Sequence, residues 1–178
     1  MSDFPALPGF YKLLFLYLEP ASTTIPGLMI LFYPGATWFH HQLIPSSAEP
    51  LPKGFLDDRT NMAVWQLAGC YFLLGMISSF VFRAARSALK NDVRTQEQVV
   101  GSLLIPLAIA DVIHISSSFI GLPQDLRFNV PEWNGTTHGN ITITTFLFLV
   151  RTAWFLGIGR QRYYFGQPST GAVAKKTK

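Results

Sequence analysis

The chain has 178 residues and a net charge of +4, and it is 49% apolar and 14% aromatic but only 13% charged. A soluble globular domain carries roughly 25% charged residues, so so few charges exclude an ordinary water-facing enzyme surface. Fifteen Phe, six Tyr and four Trp exclude a disordered chain, and the single cysteine excludes an internal disulfide or a thiolate metal cluster.

The apolar residues gather into four blocks of about 19 to 24 residues, and about 20 cross a bilayer as a helix. The first runs over 10–33. It is too long for a signal peptide's apolar region, has only Lys12 as a basic flank, and is interrupted by Glu19 and Pro20. A retained span is therefore expected, kinked or ended by Pro20, Pro26 and Pro34. Trp38, His40 and His41 follow at a membrane edge. Asp57-Asp58-Arg59 lacks the third carboxylate of a diphosphate–magnesium site and reads as a loop or helix cap.

The second span is expected over 62–82. Its Gln66, Gly69 and Cys70 form a small, polar strip suited to close helix contact. The third runs over 99–122 and places Asp111, His114 and Ser118 on one face. The fourth covers 141–159. There Trp154 and Phe155, one turn beyond Arg151, are placed to hold its guanidinium or to line an aromatic pocket. The spacing thus predicts an all-α, integral membrane four-helix bundle as a single domain over 1–164, with a flexible basic tail over 165–178.

Basic residues set the orientation. The second loop carries Arg83, Arg86, Lys90 and Arg94, and the C-terminal segment carries Arg160, Arg162, Lys175, Lys176 and Lys178. The opposite loops hold only Lys53, Arg59 and Arg127, so the positive-inside rule places both termini in the cytoplasm. Two glycosylation sequons, at Asn134 and Asn140, fall on the expected lumenal side. The basic surplus then faces anionic lipid headgroups and implies no nucleic-acid partner.

Charges inside a span cost about 2.5–3.5 kcal/mol each at the helix centre and mark functional candidates. Glu19, Asp111 and Arg151, with His114 beside them, lie about 8 to 12 residues from the cytoplasmic ends of their helices. That is ~12–18 Å, near the midplane of a ~30 Å core. They are expected to meet in one interior cavity, either as a reactive site or as an ionic tie that fixes helix register. No phosphate-cradling glycine loop, His-Glu-x-x-His pair or glycine-flanked serine occurs, so neither cofactor nor metal is expected.

A carboxylic acid in a dry apolar cavity can act as a general acid toward an alkene or an epoxide. Carboxylate and aromatic faces can then stabilise the cation that develops. This chemistry suits proton-initiated isomerisation or cyclisation of a lipophilic alkene, with Glu19 or Asp111 as acid and His114 as orienting group or final base. Arg151 would hold one carboxyl ionised.

Two segments, Phe15-Leu-Tyr-Leu-Glu-Pro-Ala-Ser22 and Ala110-Asp-Val-Ile-His-Ile-Ser116, resemble those of small fungal membrane-bound terpene cyclases of meroterpenoid biosynthesis, the ascofuranone-type cyclases. The resemblance covers most of the chain. It implies metal-free cyclisation of a prenylated (farnesyl) aromatic or its epoxide in the endoplasmic reticulum, in secondary metabolism, with Glu19, Asp111 and His114 as acid–base residues. Partners would be that lipophilic substrate and membrane lipids. The four-span pattern is also similar to sterol isomerase-like proteins. A non-catalytic lipid- or sterol-binding protein, a small transporter and an assembly factor are the further alternatives.

Overall fold

A computed structural model describes residues 3–52 and 54–166. Its helices of seven residues or more are α1 (Phe10–Leu31), α2 (Ala36–Gln42), α3 (Asp58–Ala88), α4 (Val93–Gly121) and α5 (Gly135–Leu156). No strand occurs among the described residues. The fold is all-α, and α1, α3, α4 and α5 are each long and apolar enough to cross a membrane. Their outward faces carry Phe80, Ile113 and Leu149, each more than half exposed. So much outward apolar surface suits lipid and not water.

The helices overrun the apolar blocks. The 31 residues of α3 make about 46 Å, roughly 16 Å more than a ~30 Å hydrocarbon core needs. Helix ends are set by capping and not by hydropathy. Asp57 caps α3 through bonds from Arg59 N at 3.0 Å, Thr60 N at 3.1 Å and the Thr60 hydroxyl. Asp92 caps α4, accepting from Thr95 N at 3.0 Å and from the Thr95 hydroxyl.

The Thr60 hydroxyl holds the Asp57 carboxyl below the usual carboxylate range, and the Thr95 hydroxyl does the same for Asp92. A folded-state value below the unfolded one contributes stability at neutral pH that is lost as pH falls past it. Acidification below about pH 4 should therefore lower the melting temperature of the wild type more than that of an Asp57→Asn/Asp92→Asn double variant. Asparagine caps without titrating. Equal acid sensitivity in detergent melting curves would contradict this.

Inside the bundle, α1 packs most extensively on α3, and α4 on α5. The contact face of α3 is Val64, Ala68, Gly75, Ser78, Phe82 and Ala85, at spacings of three, four and seven. At Gly75 the two helices approach so closely that an added Cβ would lie 2.6 Å from Thr24 Oγ1. The expected Gln66–Gly69–Cys70 strip faces outward instead. Small and polar residues occur on both sides of α3, and it is the larger neighbours of Gly75 that decide which side packs. Nor do the prolines end α1. Pro26 sits within it, Pro20 follows a π-helical turn at Leu14–Leu18, and the helix stops at Leu31, short of Pro34.

Two apolar cores result. One includes Phe4, Leu7, Phe15, Phe82, Leu104 and Trp154, with Phe165 packed against it. The other joins Ile30, Ala36, Phe39, Val64 and Ala68. The segment before α1 is part of the packed domain. Ala6 N donates to Gln96 Oε1 at 3.2 Å, and Trp154 Nε1 donates to the Ala6 carbonyl at 2.8 Å. The domain also runs past 164, because Phe165 packs edge-on against Trp154 and Phe155. The remainder of the expected tail, 167–178, lies outside the described residues.

Candidate functional site: an ionic node across three spans

Three of the four singled-out side chains meet. Arg151 on α5 donates through Nη1 to Asp111 Oδ2 on α4 and through Nη2 to Glu19 Oε1 on α1. Arg151, Glu19 and Asp111 are 1%, 5% and 8% exposed, so the node is closed off. The planar guanidinium suits this role, since its forked donors can engage two carboxyls in different directions at once. A π-helical turn at Leu14–Leu18 immediately precedes Glu19. Such turns recur at functional sites, where they re-aim the residue that follows.

The ring against Arg151 is Phe15, with Cζ 5.6 Å from its centroid. It is not Trp154, whose face is taken by Arg160 at 3.8 Å. Two buried polar atoms of the node, Glu19 Oε2 and Arg151 Nε, have no hydrogen-bond partner among the described residues. The hydroxyls beyond Glu19 turn to the backbone. Ser22 donates to the Glu19 carbonyl at 2.8 Å, and Thr23 donates to the Glu19 and Pro20 carbonyls.

His114 does not join the node. It lies one turn beyond Asp111 on α4, where Asn140 Oδ1 accepts from its Nε2 at 3.3 Å. Helical spacing puts His114 and Asp111 on one face, but the neighbour along that face changes from Arg151 to Asn140 as α5 runs past. Asn140 sits inside a π-helical turn, Gly139–Ile143. A glycan there would attach through the same amide that contacts His114. Asn134 caps α5, accepting from Thr137 N at 2.8 Å and donating from Nδ2 to the Gln42 carbonyl at 3.0 Å.

Two cavities of about 450 and 240 Å³ lie at the end of the bundle that holds α2 and adjoin at Leu43 and Ile44. The larger is lined by Thr37, His40, His41 and Glu49, among others. Neither is lined by Glu19, Asp111 or Arg151.

A second buried charge escaped the sequence reading. Glu97 and Arg160 form a pair at 2.9 Å with both side chains fully buried. Glu97 also accepts from the backbone N–H groups of Tyr163, Tyr164 and Phe165. Polar runs outside the hydrocarbon carry no periodic signal. Only the burial of Gln96 beside Glu97 under the N-terminal segment makes them interior.

Four apolar helices, three of them joined by a buried guanidinium–dicarboxyl node, define a small multi-pass membrane protein. The chain belongs to the family described as Domain of unknown function (DUF7704), whose model matches residues 4–161. The match takes in the buried N-terminal segment and all four long helices. No curated protein and no solved structure matches the chain.

Proposed function

We propose that the protein is a membrane-bound terpene cyclase, working without a metal, that uses the ionic node to start proton-initiated cyclisation of a prenylated (farnesyl) aromatic or its epoxide. The observation that carries this reading is the charge count at the node: one guanidinium faces two carboxyls. The neutral node therefore holds one proton, and that proton is what the reaction needs. Glu19 is the acid in this reading, because its Oε2 has no partner among the described residues while Oε1 is held by Arg151. Asp111 remains the paired carboxylate, and its negative charge would stabilise the cation that develops. The proton goes from Glu19 to the terminal alkene or epoxide oxygen, ring closure follows, and the proton then lost by the substrate returns to the Glu19 carboxylate, directly or by way of His114, which restores the starting state. Substrate and product then have equal mass.

The same reading places both termini in the cytoplasm, on the basic residues of the second loop and the C-terminal segment, and the protein in the endoplasmic reticulum membrane, on the family resemblance alone. The test is expression in a host lacking the pathway, followed by feeding with farnesylated phenols and their terminal epoxides. A product of unchanged mass and new retention time is expected. Recovery of every substrate unchanged would overturn the proposal.

A second reading rests on the closure of the node. Because neither cavity reaches Glu19, Asp111 or Arg151, the node would serve only to pin three helices in register, and the protein would be a non-catalytic lipid- or sterol-binding bundle.

A further inference from the structure

The smaller cavity lies where the ends of α2 and α4 meet the beginning of α5. At about 240 Å³ it falls below the roughly 300–1,000 Å³ of sites that enclose a whole drug-sized molecule, but it has room for one end of a longer one. Leu43, Ile44, Leu122 and Ile141 supply apolar walls, and Ser117, Ser118, Thr137 and Asn140 supply polar groups. Thr137 is 3% exposed, and its hydroxyl has no hydrogen-bond partner among the described residues. A buried hydroxyl ordinarily finds a partner, so one left without is a pointer to a ligand. Asn140 gives its amide oxygen to His114. None of the lining residues is ionisable.

We infer that this cavity binds the uncharged, hydroxyl-bearing end of an amphipathic lipid whose apolar body lies in the bilayer. A phosphate or carboxylate end is disfavoured because no lining residue offers it a counter-charge. A plain hydrocarbon would leave the hydroxyls of Ser118 and Thr137 unused. An alcohol both donates and accepts, as do the serine and threonine hydroxyls that meet it. The inference is independent of the ionic node, because no node residue lines the cavity and a node that only pins helices would leave it intact.

The test uses the full chain in phosphatidylcholine nanodiscs with three photoreactive probes of equal length. These are a long-chain alcohol carrying a diazirine near its hydroxyl, the matching carboxylic acid and the matching hydrocarbon. The alcohol should label peptides containing Leu43–Ile44 or Ile141 above the other two, and unlabelled alcohol should compete. Ser118→Ala and Thr137→Val should each reduce labelling about fivefold, the factor that one hydrogen bond contributes. Should Thr137→Val fail to accumulate, Ser118→Ala and competition on the wild type still decide. Equal labelling by the hydrocarbon, stronger labelling by the acid, or unchanged labelling in Ser118→Ala would overturn the inference.

Discussion

Arg151→Met should destabilise the bundle by about 3–5 kcal/mol, the range seen when one partner of a buried ion pair is removed. Met has similar length and no charge, so packing is largely kept while Glu19 and Asp111 lose the donor they share. Whole domains are stable by only 5–15 kcal/mol, so a loss of this size should lower both the amount of protein in membranes and its melting temperature in detergent. Arg151→Lys should recover little, because an ammonium is a single point charge and lacks the fork that spans two carboxyls. The triple variant Glu19→Gln/Asp111→Asn/Arg151→Met should recover most of the stability, since no charge is then left buried alone. Fluorescence-detected size-exclusion melting curves of the four proteins provide the check. An Arg151→Met protein as stable as wild type would show that the node contributes nothing to the fold.

Glu97→Gln should free the segment that follows α5. Glu97 is the common acceptor for Arg160 and for the N–H groups of Tyr163, Tyr164 and Phe165. Glutamine keeps one oxygen but turns an amide NH₂ toward groups that themselves donate, and it leaves the Arg160 guanidinium buried without its counter-charge. The cost should again be about 3–5 kcal/mol, concentrated in local opening of the segment that Glu97 clamps. Trypsin reads this directly. Peptide bonds after Arg160 and Arg162 should be protected in the wild type and cut rapidly in the variant, with α3 and α4 still intact. Equal cleavage rates would contradict the clamp.

The hydropathy pattern carried the four spans because it reports solvent, and each block is about as long as the hydrocarbon is thick. It could not carry the ends. Asp58 through Asn61 belong to α3 although they are polar, because a helix satisfies its own backbone and needs only Asp57 to cap it. Glu97 and Phe165 lie outside the four apolar blocks altogether. What buries them is contact with residues far away in the chain, which no local window reports. The node itself was largely legible. Charge is so costly at mid-depth that Glu19, Asp111 and Arg151 had few options except to find each other. The role of His114 was not legible, because a shared helix face does not say which residue of the neighbouring helix stands opposite. Nor was the smaller cavity legible. Its position depends on how α2 closes one end of the bundle, and α2 is only seven residues long.

The central claim is that the node supplies the proton that starts the reaction. Microsomes carrying wild type, Glu19→Gln or Asp111→Asn at equal protein level, supplied with the same farnesylated phenol or its epoxide, test it most directly. Both substitutions keep shape and a hydrogen-bond acceptor for Arg151, and both remove a carboxyl group. The account predicts that the wild type forms a product of unchanged mass while both variants accumulate and form none. Undiminished product from both variants at equal accumulation would contradict it.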